Sequence, residues 1–194
     1  MGKKSTLSAA DVQALLETPD RESPVGLRNF AIMLCMVLAG LKVGEIVGKE
    51  GDGTSAEGGL RLSDIDFRKG TVRVVGKKGV RVLDVPLSLQ QFLKAWLDIR
   101  PTPQEASAES PGGDRNDLVF TTMKGTRIQN RYIRRMLHDY GVAAGLEIDV
   151  KPSLLRDVYA RRVLKETGDL RELAARLGHR HLASSLRYLE TEEE

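Results

Sequence analysis

Residues 30–45 read "FAIMLCMVLAGLKVGE". From Phe30 to Leu41 there is no charge, and apolar side chains fall on every side of a 3.6-residue repeat. A helix with no face to give to water belongs at the centre of a core. Ser23-Pro24 reads as its cap and first-turn proline, and Gly40 as its end. The run is too short to span a bilayer. Past the glycine, "AGLKVGE" (Ala39–Glu45) turns polar and becomes the first landmark with chemistry to offer.

Working outward, Ser8 can cap a helix to about Glu17, with Asp11 completing a capping box. Residues 1–6 read as a flexible start without an apolar signal segment. On the other side, residues 49–59 form a polar, glycine-rich loop. "TVRVVGKKGVRVLDVPL" alternates with period two around Gly76-Lys77-Lys78-Gly79, the pattern of a β-hairpin. Ser88 to about Arg100 is an amphipathic helix with Leu89, Phe92, Leu93, Trp96 and Leu97 on one face. Residues 101–116 make a second flexible loop, rich in Pro, Gly, Ser and acid. The fold class expected is mixed, mainly α with a small antiparallel hairpin or sheet, as one domain over residues 1–194.

With 41% hydrophobic and 29% charged residues, a chain of 194 residues can bury a core and remain soluble. The net charge of +3 permits a polyanionic partner without requiring one. The single cysteine, Cys35, excludes a disulfide framework and a cysteine-rich metal site, and fits a reducing cytoplasm. Asp64 and Asp66 in "LSDIDF" lack further ligand spacing and read as turn residues at a strand entry. "GDGTSAEGG" lacks the Gly-Lys-Ser/Thr ending of a phosphate-binding loop.

A helix from about Ile128 to Tyr140 carries Ile133, Met136, Leu137 and Tyr140 as an apolar stripe. Arg127, Arg131, Arg134, Arg135 and His138 gather opposite, with no acidic partner evident on that face. A solvated exterior explains such a face; so does contact with phosphates, which guanidinium groups favour. "VKPSLLRDVYA" (Val150–Ala160) opens another helix. Near the end, "LGHRHLASSLRYLE" (Leu177–Glu190) places His179 and Tyr188 nine residues apart.

In this order, "AGLKVGE", "GKKGVRVLDVPL", "VKPSLLRDVYA" and "LGH" followed by Tyr188 resemble the catalytic domain of the tyrosine recombinases, the phage-integrase and Xer-type family. Its blocks commonly read T-G-L-R-x-x-E, a lysine hairpin, H-x-L-R-H, and L-G-H with tyrosine nine residues on. The resemblance runs from about Leu7 to Tyr188. It implies a partner, DNA, and a reaction without metal or cofactor: a tyrosine attacks a phosphodiester and keeps the bond energy in a 3′-phosphotyrosyl link.

By that resemblance Tyr188 falls at the nucleophile, His179 at the late histidine and Arg156 at the second arginine. Lys77 falls at the hairpin lysine, with Lys78 as its rival. Lys42 stands where the family has its first arginine, and keeps charge but loses the bidentate fork. Ser153 stands in place of the block's opening histidine and Asp157 in place of its closing one. Arg127, Arg131, Arg134 and Arg135 become DNA contacts. These departures predict weak DNA binding, mainly to phosphates, and impaired strand exchange. An N-terminal DNA-clamping domain and a C-terminal docking segment are expected to be absent. The chain is then a monomer in solution, with assembly into an oligomer on DNA. Two other readings stay open: an active minimal recombinase or type IB topoisomerase-like enzyme, and a non-catalytic protein-interaction module.

Overall fold

The computed structural model describes residues 5–48, 58–76, 79–101 and 117–189. Helix α1 (Ala9–Glu17) starts in the expected capping box: Asp11 N–H donates to Ser8 Oγ, and Ser8 N–H to Asp11 Oδ2. Helix α2 (Pro24–Ala39) is the central element, with Phe30 through Val37 and Ala39 buried. It packs on α4 (Leu87–Ile99) and α6 (Pro152–Thr167). Trp96 of α4 is fully buried, and its indole N–H donates to Val119 O at 2.7 Å, which fixes residues 118–120 against the core.

Two polar side chains on α2 are buried with it. Arg28 donates to Thr121 O and Tyr132 Oη, and Asn29 donates to Tyr140 Oη. A buried polar group without partners costs about 1–3 kcal/mol, so these bonds set how α5 (Asn130–Ala143) lies on α2. Its stripe of Ile133, Met136 and Leu137 is buried; Arg131, Arg134 and Arg135 face solvent.

Short α3 (Val43–Ile46) follows α2, then a 3₁₀ turn at Leu62–Asp64 and strand β1 (Ile65–Asp66). Strands β2 (Thr71–Gly76) and β3 (Gly79–Asp84) form the expected hairpin, with Val72 opposite Leu83 and Gly76 opposite Gly79. With β1 on the far side of β2 they make a three-stranded antiparallel sheet. Helix α7 (Leu170–Leu177) and the single turn α8 (Ala183–Leu186) close the described chain. The mixed, mainly helical class with a small antiparallel sheet is therefore as read from the sequence. Both flexible-loop expectations, and the hairpin lysines Lys77 and Lys78, fall wholly or largely outside the described residues.

Gly40 ends α2 at φ 63°, and a Cβ there would lie 2.4 Å from Tyr159 Cδ1. The residue is a glycine for two reasons at once: the left-handed backbone and the aromatic ring packed on it. Gly40→Ala should lower stability by at least about 2 kcal/mol, since strain and overpacking add. Urea denaturation checks this; an unchanged midpoint would show that the ring moves aside freely.

Candidate active site

The turn at Gly40 delivers the chain to Lys42, which is the N-cap of α3. Glu45, three residues on and nearly buried, accepts the Lys42 backbone N–H at 2.9 Å. Its carboxylate also meets Arg81 of β3, which donates to both oxygens at 2.9 Å and, through Nε, to Arg176 O at 2.8 Å. Burial alone raises the Glu45 carboxyl, but the hydrogen bonds and charge of Arg81, helped by Lys42, outweigh it and leave the group below its usual range. A lowered carboxyl contributes stability above its unfolded pKa of about 4.3, and that is lost as pH falls through the folded value. Glu45→Gln should thus cost about 2 kcal/mol at neutral pH, because it leaves Arg81 without its anion. The gap to the parent should shrink as pH falls below the unfolded value and close once it passes the lowered folded one. Thermal melts across pH test this; a gap that persists in acid would mean that shape, not charge, matters.

Helix α7 starts at Asp169, whose side chain accepts from Arg171 N–H and Glu172 N–H, and it ends at Gly178 with φ 64°. His179 N–H returns to Ala174 O at 2.9 Å, and His179 Nδ1 lies 2.8 Å from the Oγ of buried Ser185. The ring orientation is fixed by that contact. Arg156, on α6, spans the seam from below. Its Nε donates to Gly40 O at 2.8 Å and its Nη2 to Leu177 O at 3.3 Å. Those carbonyls stand two residues before Lys42 and His179 respectively. Burial depresses the Arg156 guanidinium; Glu45, Tyr188 and Asp157 oppose that. Two arginines, Arg81 and Arg156, therefore stitch "AGLKVGE" to the segment that carries His179.

Above the seam opens a cleft of about 870 Å³, lined by Lys42, Arg81, Arg134, His179 and Arg180 and by the backbone of the hairpin at Gly76 and Gly79. Among the described residues the one acid in its lining, Glu45, is already paired with Arg81. The surface is electropositive and concave, as an anion site requires. Asn130 also lines it, at the start of α5.

The sequence-derived residues are placed as follows. Lys42 and His179 both line the cleft, whereas Arg156 is not part of its lining and bonds instead to the carbonyls of Gly40 and Leu177. Ser153 is exposed in the first turn of α6 and lines an adjoining groove with Arg134, Arg135, His138 and Lys151. Lys77 lies outside the described residues, although Gly76 and Gly79 beside it border the cleft. Tyr188 is 3% exposed and stands outside the cleft lining, packed with Tyr159, Val163, Leu164, Leu173 and Leu177.

Two expectations about the arginine face need correction. Helix α5 begins at Asn130, because Thr121 and Arg127 pair across a tight antiparallel turn closed by Thr122 N–H to Thr126 O. Arg127 thus precedes the helix, and its Nη1 donates to Val47 O and Gly58 O as an internal clip. The face is also not acid-free, since Arg135 Nε lies 3.6 Å from Asp139. Arg81 is not among the sequence-derived residues; its signal is the strand phase, since it shares the face of buried Leu83 while Val80 and Val82 point outward.

The sequence and fold were compared with known proteins. The family model described as "Phage integrase family" matches residues 5–194. Tyrosine recombinase XerD of Pseudomonas aeruginosa is 30% identical over 183 residues, covering 94% of this chain and 56% of that protein. XerD of Lacticaseibacillus casei is 31% identical, with 95% and 57% covered. The chain thus spans somewhat over half the length of these relatives. The crystal structure of XerA recombinase superposes with a TM-score of 0.78 at 24% identity, over 99% of this chain and 62% of that one. XerH bound to palindromic difH substrate, a post-cleavage complex, gives 0.75 at 21% identity, over 99% and 51%. Among the described residues no helix is long and apolar enough to cross a membrane, and no three His, Cys, Asp or Glu residues cluster as a metal site.

Proposed function

Because the chain belongs to the phage integrase family, we propose that this domain binds DNA in the cytoplasm and seats one backbone phosphate in the Lys42–His179 cleft. The observation that carries this reading is the electropositive cleft itself, built from segments far apart in sequence: Lys42, Arg81, Arg134 and His179. In the reaction, Tyr188 Oη attacks phosphorus and gives up its proton to solvent water, from which Lys77 is later reprotonated. The bond from phosphorus to the 5′-oxygen breaks, leaving a 3′-phosphotyrosyl link and a 5′-hydroxyl that takes a proton from Lys77. Bond energy is conserved in the link, so religation is the same step reversed. Lys42 and His179 face the non-bridging oxygens, and Arg156 holds the two segments that carry them.

Cleavage is slow in this reading. Lys42 offers a point charge where a guanidinium offers two parallel donors. Ser153 has no titration near neutral pH. Tyr188 must leave its apolar packing to reach the phosphate. The same position of Tyr188 favours a second reading, a DNA-binding module that does not cleave. A nicked "suicide" duplex, which traps the covalent intermediate, separates the two. A covalent protein–DNA band that vanishes in Tyr188→Phe supports the nucleophile; no band under any condition sinks it and leaves binding alone.

Binding draws on Arg131, Arg134 and Arg135, the exposed arginines of α5. It should be weak, non-specific in sequence and steep in salt, since each phosphate contact releases counterions. Changing all three to alanine should lower the slope of log K against log salt by about 2–3. Gel shifts over a salt series read this directly. An unchanged slope would make the face merely solvated. Several copies assembled on one DNA are the expected working form, and a monomer the free one.

A further inference from the structure

We infer that Asp157 is a positioning residue for Tyr188, which, with Arg187, clamps the phenol away from the cleft in the resting protein. The inference rests on the reading of Tyr188 as nucleophile. Tyr188 Oη donates to Asp157 Oδ1 at 2.9 Å, and Arg187 Nη2 donates to the same oxygen at 2.7 Å. Arg187 also donates to Tyr188 Oη, and its guanidinium lies over the Tyr188 ring, 4.6 Å from the centroid. The three groups close a cycle: carboxylate, guanidinium and phenol each touch the other two.

The position of Asp157 on α6 makes the cycle matter. Consecutive helix residues point about 100° apart, so Arg156 reaches the seam under the cleft while Asp157 reaches Tyr188. One helix therefore braces the phosphate side and withholds the nucleophile. A phenol buried among Tyr159, Val163, Leu164, Leu173 and Leu177 needs an acceptor for its hydroxyl, and an anion is a strong one. Burial, with the Asp157 charge adding to it and Arg187 opposing, pushes the phenol upward, so it stays protonated and bonded. Attack requires that this bond break and the ring leave. The element that carries the ring is only a single helical turn, Ala183–Leu186, and the turn that follows it, so the clamp adds to the apolar packing and the Ser185–His179 contact in setting the resting position.

The test uses the full chain labelled with 3-fluorotyrosine, its Tyr188 fluorine signal assigned by its loss in Tyr188→Phe. In the parent, that signal should be shifted by burial. In Asp157→Ala it should move towards the solvent-exposed position while Tyr159, in the same apolar cluster, keeps its own. Asp157→Asn, which retains an acceptor but no charge, should fall between. On the suicide duplex, Asp157→Ala should raise the initial rate of covalent capture about tenfold, the worth of one charge-assisted hydrogen bond. A Tyr188 signal that does not move overturns the clamp. So does a Tyr159 signal that moves with it, which makes Asp157 a packing residue, and so does a capture rate that falls. If Tyr188 is released but no variant captures DNA, the clamp stands and the nucleophile assignment fails.

Discussion

Arg156→Ala should slow covalent capture by about 10³, the upper end of what loss of a single transition-state donor ordinarily costs on its own. The guanidinium does two things at once. In the proposed function it supplies positive charge near the phosphate, and in the structure it ties Gly40 O to Leu177 O. Alanine leaves both carbonyls without this donor, so the strands of chain leading to Lys42 and His179 keep only the Arg81 tie between them. A misplacement of about 1 Å is enough to cost 10²-fold even where every reacting group is present. Arg156→Lys keeps the charge but cannot reach both carbonyls along fixed directions, so it should lie between the two. Single-turnover capture at saturating DNA, beside a urea melt, separates the brace from general unfolding. A variant with alanine here that folds and captures at the parent rate would remove Arg156 from the site altogether.

The helices were legible where local chemistry decides them. Ser8 with Asp11, Ser23-Pro24 with Gly40, and the all-round apolar stretch of α2 each announce themselves within a few residues. The hairpin was legible because its alternation runs on both sides of the glycines. What was not legible depends on long-range contacts. Arg127 sits in phase with the helical arginines, yet its guanidinium is spent on Val47 O, 80 residues away in sequence. Arg81 reads as an ordinary strand residue until Glu45 is brought to it. The motif blocks named Tyr188 and His179 as partners by spacing, but spacing fixes a distance along the chain and not a direction in space. Asp157 shows the difference. In sequence it is a missing histidine, whereas in the fold it is the group that holds Tyr188.

Lys42→Arg should raise covalent capture by about 10–10², the converse of removing one preorganised donor from a transition state. Lys42 already lines the cleft with His179, and the capping contact of Glu45 is to its backbone N–H, so the exchange leaves the turn intact. What changes is the head group. An ammonium meets the phosphate as a point charge; a guanidinium meets two non-bridging oxygens with two parallel N–H groups. The advantage grows as charge builds on those oxygens, so it should be felt in the rate of the bound complex more than in binding. Ser153→His adds a titratable group one helical turn before Arg156, in the groove that shares Arg134 with the cleft. Its gain should combine with that of Lys42→Arg less than multiplicatively, because groups acting on one phosphate act as a unit. Tyr188→Phe on this background should return capture to zero. If Lys42→Arg tightens DNA binding but leaves single-turnover capture unchanged, the pocket is not what limits the reaction. The slow step would then be the release of Tyr188 from Asp157, and Asp157→Ala should give the larger gain of the two.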